Sequence, residues 1–290
     1  MSPSPTIVSK PRLLFRPDPV LGWSLSPGHA VRVGFRQNVL QHINPQGWRT
    51  VAAPETGDGP RIAFYGCSFT YGTGLNDDET YTSLVQRSRP SVRVLNRGIG
   101  GHGSVQNFLQ FRRDLSARAV DAAVFGIISD HRFRNIAHPQ RMRQYLAPEW
   151  YKLGVEHVPV ARLDASGKVR VVYLPIWQPV IRDAEFQAFL PDDFMLNAAS
   201  FAVFDLIVSV AKAAGIPVTF VLLDELDRPF NAGVMERFPQ TTDISTPYDT
   251  DHTFMPRDIH PNVRANELFA ERLLPIVDGL CDAALTRPVQ

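Results

Sequence analysis

Cysteine is scarce. The 290 residues hold only Cys67 and Cys281, too few for a disulfide framework, and this fits a reducing compartment. Neither sign of charge is in excess: 30 Lys and Arg face 29 Asp and Glu, a net +1. No basic run stands out, so the charge gives no sign of a nucleic-acid-binding face or partner. A long hydrophobic run is missing as well. The best candidate, Phe201 to Val210, is broken by Asp205 and Ser209, so no membrane span is expected. The N-terminus, Met1-Ser-Pro-Ser-Pro-Thr6, lacks the charged start and apolar stretch of a secretory signal, which makes a cytoplasmic location the expectation. Internal repeats and low-complexity tracts are absent too. What is present is an ordinary globular composition, 44% hydrophobic and 20% charged, long enough for one large domain or two modest ones.

Residues 1–12, with Pro3, Pro5 and Pro11, read as a loose arm. Residues 13–58 read as an extended, hairpin-like appendage, because Val31, Val33 and Phe35 alternate with Arg32, Gly34 and Arg36. The stretch from Ala52 to Pro60 is a linker by composition. From Arg61 the pattern changes. Apolar runs at 61–65, 92–96, 122–128 and 217–223 predict strands, and the spacing predicts helices over 80–87, 104–118, 194–214 and 263–282. Residues 155–174 read as a hairpin turning at Asp164-Ala-Ser-Gly167. Short apolar strands separated by helices predict an α/β fold over 59–290, a three-layer α/β/α sandwich on a mainly parallel central sheet. Insertions are expected at about 131–194 and 224–257, the second polar and without a clear period. Sites in such sheets lie at the carboxyl ends of the strands.

Four of those ends carry chemistry. Gly66-Cys67-Ser68 places a hydroxyl at a strand-to-helix turn, where the positive end of a helix favours developing negative charge. The plainer reading is a helix-capping serine. Asn96-Arg97-Gly98-Ile99-Gly100-Gly101-His102-Gly103 lets backbone N–H groups approach an anion. Gly98, Gly100 and Gly103 also satisfy a dinucleotide-binding pattern with Asp130 as the acid, but that reading leaves the Ser68 turn without a purpose. Ser129-Asp130 and Asn135 follow the third strand, where a hydroxyl or amide donor is expected. Asp258-Ile259-His260-Pro261 precedes the last helix, and an acid two residues from a histidine can orient its imidazole and leave Nε2 for a nucleophile. Asp249, Asp251 and His252 raise a metal hypothesis, yet their spacing matches no zinc signature and no metal is expected.

In this order the four blocks resemble those of the GDSL/SGNH hydrolase superfamily over about residues 60–280. The stretch from Gly66 to Gly74, with Asp77, Asp78, Thr80 and Tyr81 following, is similar to that family's first block, and the segment from Pro17 to Trp23 resembles an extension found before the core in bacterial members. The resemblance implies a flavodoxin-like sheet and a serine esterase without cofactor. Ser68 would be the nucleophile, His260 the general base and Asp258 its orienting acid. Gly101 and Ser68 would supply backbone donors to the oxyanion hole. Three departures stand out: Cys67 replaces the usual acid before the serine, Arg257 occupies the usual acid position three before the histidine, and Ser129 stands where the third-block Asn is expected. Ser129 is then the positional donor and Asn135 the alternative, while Asp251 or Asp249 could replace Asp258. The expected substrate is a small-molecule or saccharide acyl ester. The rivals are an acyltransferase, for which Trp177, Phe186 and Phe189 are candidate apolar or sugar-stacking residues, and a catalytically silent module.

Overall fold

The structure is a computed structural model that describes residues 7–8, 14–32, 36, 38–53, 58–136, 138–146, 148–176 and 190–286. The N-terminal extension contributes β1 (Ile7–Val8), β2 (Phe15–Asp18), β3 (Gly22–Leu25), β4 (Ala30–Arg32) and β5 (Leu40–His42). The main domain continues with β6 (Arg61–Gly66), α1 (Ser68–Tyr71), α2 (Tyr81–Ser88), β7 (Arg93–Gly98), α3 (Ser104–Ser116) and β8 (Ala122–Ile127). Short helices α4 (His131–Asn135), α5 (Pro139–Met142) and α6 (Pro148–Leu153) lead to the hairpin β9 (His157–Leu163) and β10 (Val169–Pro175). The chain ends on α7 (Asp193–Ala214), β11 (Val218–Leu222), α8 (Arg228–Arg237), β12 (Thr241–Asp243) and α9 (Val263–Leu285).

The central sheet has five strands in the order β12-β11-β8-β6-β7, all parallel. Its inner strands are mostly apolar, β8 at every position, because both faces are covered. In β6, Ile62 and Phe64 face one core with α2 and α9, while Ala63 and Tyr65 face the other with α3 and α7. The same alternation splits Val124 from Phe125 in β8 and Val221 from Phe220 in β11. Strand order reverses between β6 and β8, since β6 connects outward to β7 and the chain then crosses back to β8. At such a reversal the loops part, and a crevice opens beyond the strand ends.

α7 begins where Asp192 accepts from the Met195 N–H and stops at Gly215, whose φ of 64° closes the last turn. By length and composition it is apolar enough to cross a bilayer, which the broken apolar run did not suggest. Here Leu196, Val203, Phe204 and Ile207 are buried within the fold.

Two expectations need correction. The polar stretch 224–257 is not an insertion, because it supplies α8 and the edge strand β12. Its helix hides its period because few residues are buried, chiefly Phe230 and Val234, and its strand is Thr-Thr-Asp with one side open. Part of the expected loose arm is paired: Ile7 and Val8 run parallel to Ala30 and Val31. The remaining extension packs closely on the main domain, with Leu21, Trp23, Leu25 and Arg49 almost fully buried.

Candidate active site

Ser68 is the first residue of α1, directly after β6. Two strand-end glycines let this helix sit on the sheet edge. A Cβ on Gly66 would lie 2.0 Å from Thr70 Oγ1, and one on Gly98 would lie 2.3 Å from the Tyr71 amide nitrogen. Thr70 is then held from two sides, by the Tyr81 hydroxyl donating to its Oγ1 at 2.9 Å and by Asn96 Nδ2 donating to its carbonyl at 2.9 Å. Asn96 also accepts from the Gly98 N–H at 2.9 Å, which ties the first and second blocks together.

His260 lies on the turn entering α9. The turn is closed by the Phe254 N–H donating to the His260 carbonyl at 3.1 Å and by an isolated bridge between Thr253 and Pro261. Asn262 caps α9 by accepting from the Ala265 N–H at 3.1 Å. Asn266 links the turn to α2, since its Oδ1 accepts from the Tyr81 N–H at 3.0 Å. On this turn Asp258 Oδ1 lies 2.5 Å from His260 Nδ1 and also accepts from the His260 N–H at 2.8 Å. Burial pushes the Asp258 carboxyl upward, but these hydrogen bonds and the attraction of the imidazole outweigh it and hold it below its ordinary value. A carboxylate can only accept, so Nδ1 carries the proton and the lone pair is left on Nε2. Of the alternative acids, Asp249 accepts instead from His252 at 2.8 Å. No group of side chains able to hold a metal occurs among the described residues.

The serine and histidine turns meet through Phe69, whose ring packs edge-on against His260 with centroids 5.7 Å apart. Among the described residues no hydrogen bond joins Ser68 Oγ to His260; catalytic hydrogen bonds often tighten only around substrate. Both residues are partly exposed. Gly101 also reaches the strand ends, with φ of 83° on the turn after β7.

The third block is arranged differently from either expectation. The Ser129 hydroxyl donates to Asp224 Oδ1 at 2.5 Å and accepts from the Asp227 N–H at 3.1 Å. The structure does not bring Asn135 to the crevice. Its Oδ1 accepts from Ser104 N–H at 2.7 Å, and its Nδ2 donates to Ser200 Oγ at 3.0 Å, so it caps α3 and is fully buried. Burial pushes Asp224 above its ordinary value despite the bonds from Ser129. Burial also pushes Tyr248 up to about 12, and the charges of Asp224, Asp258 and Asp130 add to this. Trp177, Phe186 and Phe189 lie outside the described residues. Residues that sequence reasoning passed over include Asp224 and Tyr248; only the position of Asp224 just past a strand end marked it out.

No family model matches the chain, and no curated protein does. Among solved structures, it is similar to a member of the lipolytic protein G-D-S-L family from Veillonella parvula at 13% identity, covering 75% of this chain and 98% of that one with a TM-score of 0.43. It is similar to a psychrotrophic esterase from Pseudoalteromonas sp. at 9% identity, covering 77% and 99% with a TM-score of 0.43. A third likeness is to an acetylxylan esterase from Geobacillus stearothermophilus, at 13% identity, 76% and 95% coverage and a TM-score of 0.40.

Proposed function

We propose that the protein is a serine-dependent ester hydrolase of the GDSL/SGNH kind, with Ser68 as nucleophile, His260 as general base and Asp258 as its orienting acid. The observation that carries this reading is the Asp258–His260 pair at 2.5 Å, on a turn packed against the residue that follows Ser68. A serine hydroxyl is a weak nucleophile until a base takes its proton, and a histidine with its proton held on Nδ1 is such a base. Attack by Ser68 Oγ on the ester carbonyl sends the hydroxyl proton to His260 Nε2. The tetrahedral oxyanion is met by the N–H groups of Ser68 and Gly101. His260 then protonates the departing alcohol, leaving an acyl group on Ser68. Water deprotonated by the same imidazole releases the acid and restores the serine.

Ser68→Ala and His260→Ala are each expected to abolish hydrolysis of p-nitrophenyl acetate while leaving the thermal midpoint within a few degrees of the parent. Turnover retained by either variant would refute the assignment. Adding an acetyl-accepting saccharide separates hydrolysis from transfer, because a hydrolase gives free acetate at an unchanged rate. A fluorophosphonate probe that leaves Ser68 unlabelled in the folded protein would favour a silent module.

A further inference from the structure

We propose that Trp23, on the N-terminal extension, is a positioning residue for the oxyanion donor Gly101; this rests on the role of Gly101 in the reading above. Between β7 and α3 every carbonyl from Ile99 to Gly103 is engaged. Ile99 O accepts from the His102 N–H at 3.1 Å and Gly103 O from the Asn107 N–H at 3.2 Å, so the two ends of the turn close on their own backbone. The middle is held by side chains from distant segments. Trp23 Nε1 donates to Gly100 O at 3.1 Å, Arg141 Nη2 to Gly101 O at 2.8 Å, and Arg134 Nη1 to His102 O at 2.9 Å.

The carbonyl of Gly100 and the N–H of Gly101 belong to one planar trans peptide, and they point in opposite directions. Whatever holds that carbonyl therefore aims that amide. Trp23 holds it, and among the described residues the Gly101 N–H takes no partner. The other peptide of Gly101 is held at its carbonyl by Arg141 and at its His102 N–H by Ile99 O, so only the Gly100–Gly101 peptide depends on Trp23. A side chain at Gly101 would not be tolerated: its φ is 83°, and a Cβ would lie 2.9 Å from Arg141 Nη2 and 3.2 Å from Trp23 Cζ2.

Trp23 is itself well anchored. It is fully buried, meets His102 edge-on with centroids 5.1 Å apart and Trp150 at 4.9 Å, and its carbonyl lies 3.1 Å from His102 Nε2. That carbonyl can only accept, so His102 Nε2 donates, and the indole and the turn grip each other from both ends. Arg141 is braced in the same way, over the Tyr145 ring at 5.4 Å and by a hydrogen bond to Gln144. Through Trp23 the extension is thus a part of the oxyanion apparatus.

The test compares Trp23→Phe, Arg141→Ala and Arg141→Lys with the parent, using p-nitrophenyl acetate turnover and binding of a phosphonate mimic of the tetrahedral state. Amides aimed at the oxyanion act mainly in the transition state, so Trp23→Phe and Arg141→Ala should lower kcat at least about tenfold with KM within about twofold. Phosphonate affinity should fall in step with kcat, and Arg141→Lys should recover part of the loss. A purely structural role would instead lower the thermal midpoint and leave kcat per folded molecule unchanged, and that result overturns the proposal. Should Trp23→Phe fail to fold, Trp23→Leu is measured in its place, and a kcat per folded molecule equal to the parent's overturns the proposal. Activity retained by Ser68→Ala would instead refute the catalytic reading, which separates the two failures.

Discussion

At the scale of the residue, the Asp258 carboxylate does two jobs with one oxygen. Oδ1 accepts from the His260 backbone, which shapes the turn, and it meets His260 Nδ1, which fixes the tautomer. Replacing it by asparagine keeps an acceptor oxygen for the backbone but places an amide where an anion stood. The imidazole then loses the charge that stabilises its protonated form. Asp258→Asn should therefore fold normally and lose roughly 10⁴-fold in kcat, the scale seen when a triad acid is neutralised. Asp251→Asn should leave turnover unchanged. Ester hydrolysis by the two variants, measured side by side, checks both halves; equal effects would mean that Asp258 is not the orienting acid. The histidine and its acid were legible in the sequence because they are two residues apart. The third-block donor was not legible, since whether Ser129 or Asn135 is free depends on Asp224, Ser104 and Ser200, which lie far away along the chain.

At the scale of the element, α3 shows how a helix end can be capped from elsewhere. Its N-cap is Gly103, which has no side chain to accept from the first N–H groups. Asn135 on α4 supplies the missing oxygen, taking Ser104 N–H at 2.7 Å and Val105 N–H at 3.3 Å. The glycine is free to serve the turn because the cap has moved to another helix. Asn135→Ala should cost about 1–2 kcal/mol, as loss of an N-cap does, with more added if the Ser200 hydroxyl is left unpaired. For a chain of this size that is a fall in thermal midpoint of a few degrees, read by calorimetry. A midpoint unchanged within error would show that the cap carries no weight. The elements easiest to read from sequence were those buried on both faces, such as β8, whose run from Ala122 to Ile127 is apolar at every position. α8 and β12 escaped notice because each buries only a narrow edge, so neither imprints a full period on its residues.

At the scale of the whole molecule, the packing that joins the extension to the main domain sets a pH limit on the fold. The Gly100 turn is linked to Trp23 over 77 positions of chain, a pairing that no local pattern in the sequence could announce. Its partner His102 is buried, and so is His131, which lies 3.3 Å from Ser104 Oγ. Burial lowers His102 to about 3, with the bond to the Trp23 carbonyl opposing it, and burial lowers His131 well below its ordinary value, with Arg134 and Arg141 adding to the effect. An unfolded chain takes up a proton on each near pH 6.5, whereas the native state refuses it until much lower pH. The stability these histidines contribute is therefore complete above about pH 6.5 and is lost as pH falls from there towards about 3, by up to roughly 1.4 kcal/mol per pH unit for each. The depressed carboxylates Asp18 and Asp258 act lower on the pH scale, since their contribution is complete above their ordinary value and is lost as pH falls from there through their lowered native values. His102→Gln isolates one term, because its amide can still donate to the Trp23 carbonyl while carrying no titratable proton. Urea unfolding between about pH 6 and pH 4.5 should show a shallower loss of stability for His102→Gln than for the parent, by about one proton's worth of slope. Parallel curves would mean that His102 takes up its proton in the folded state, and that the turn beneath Gly101 is open to water.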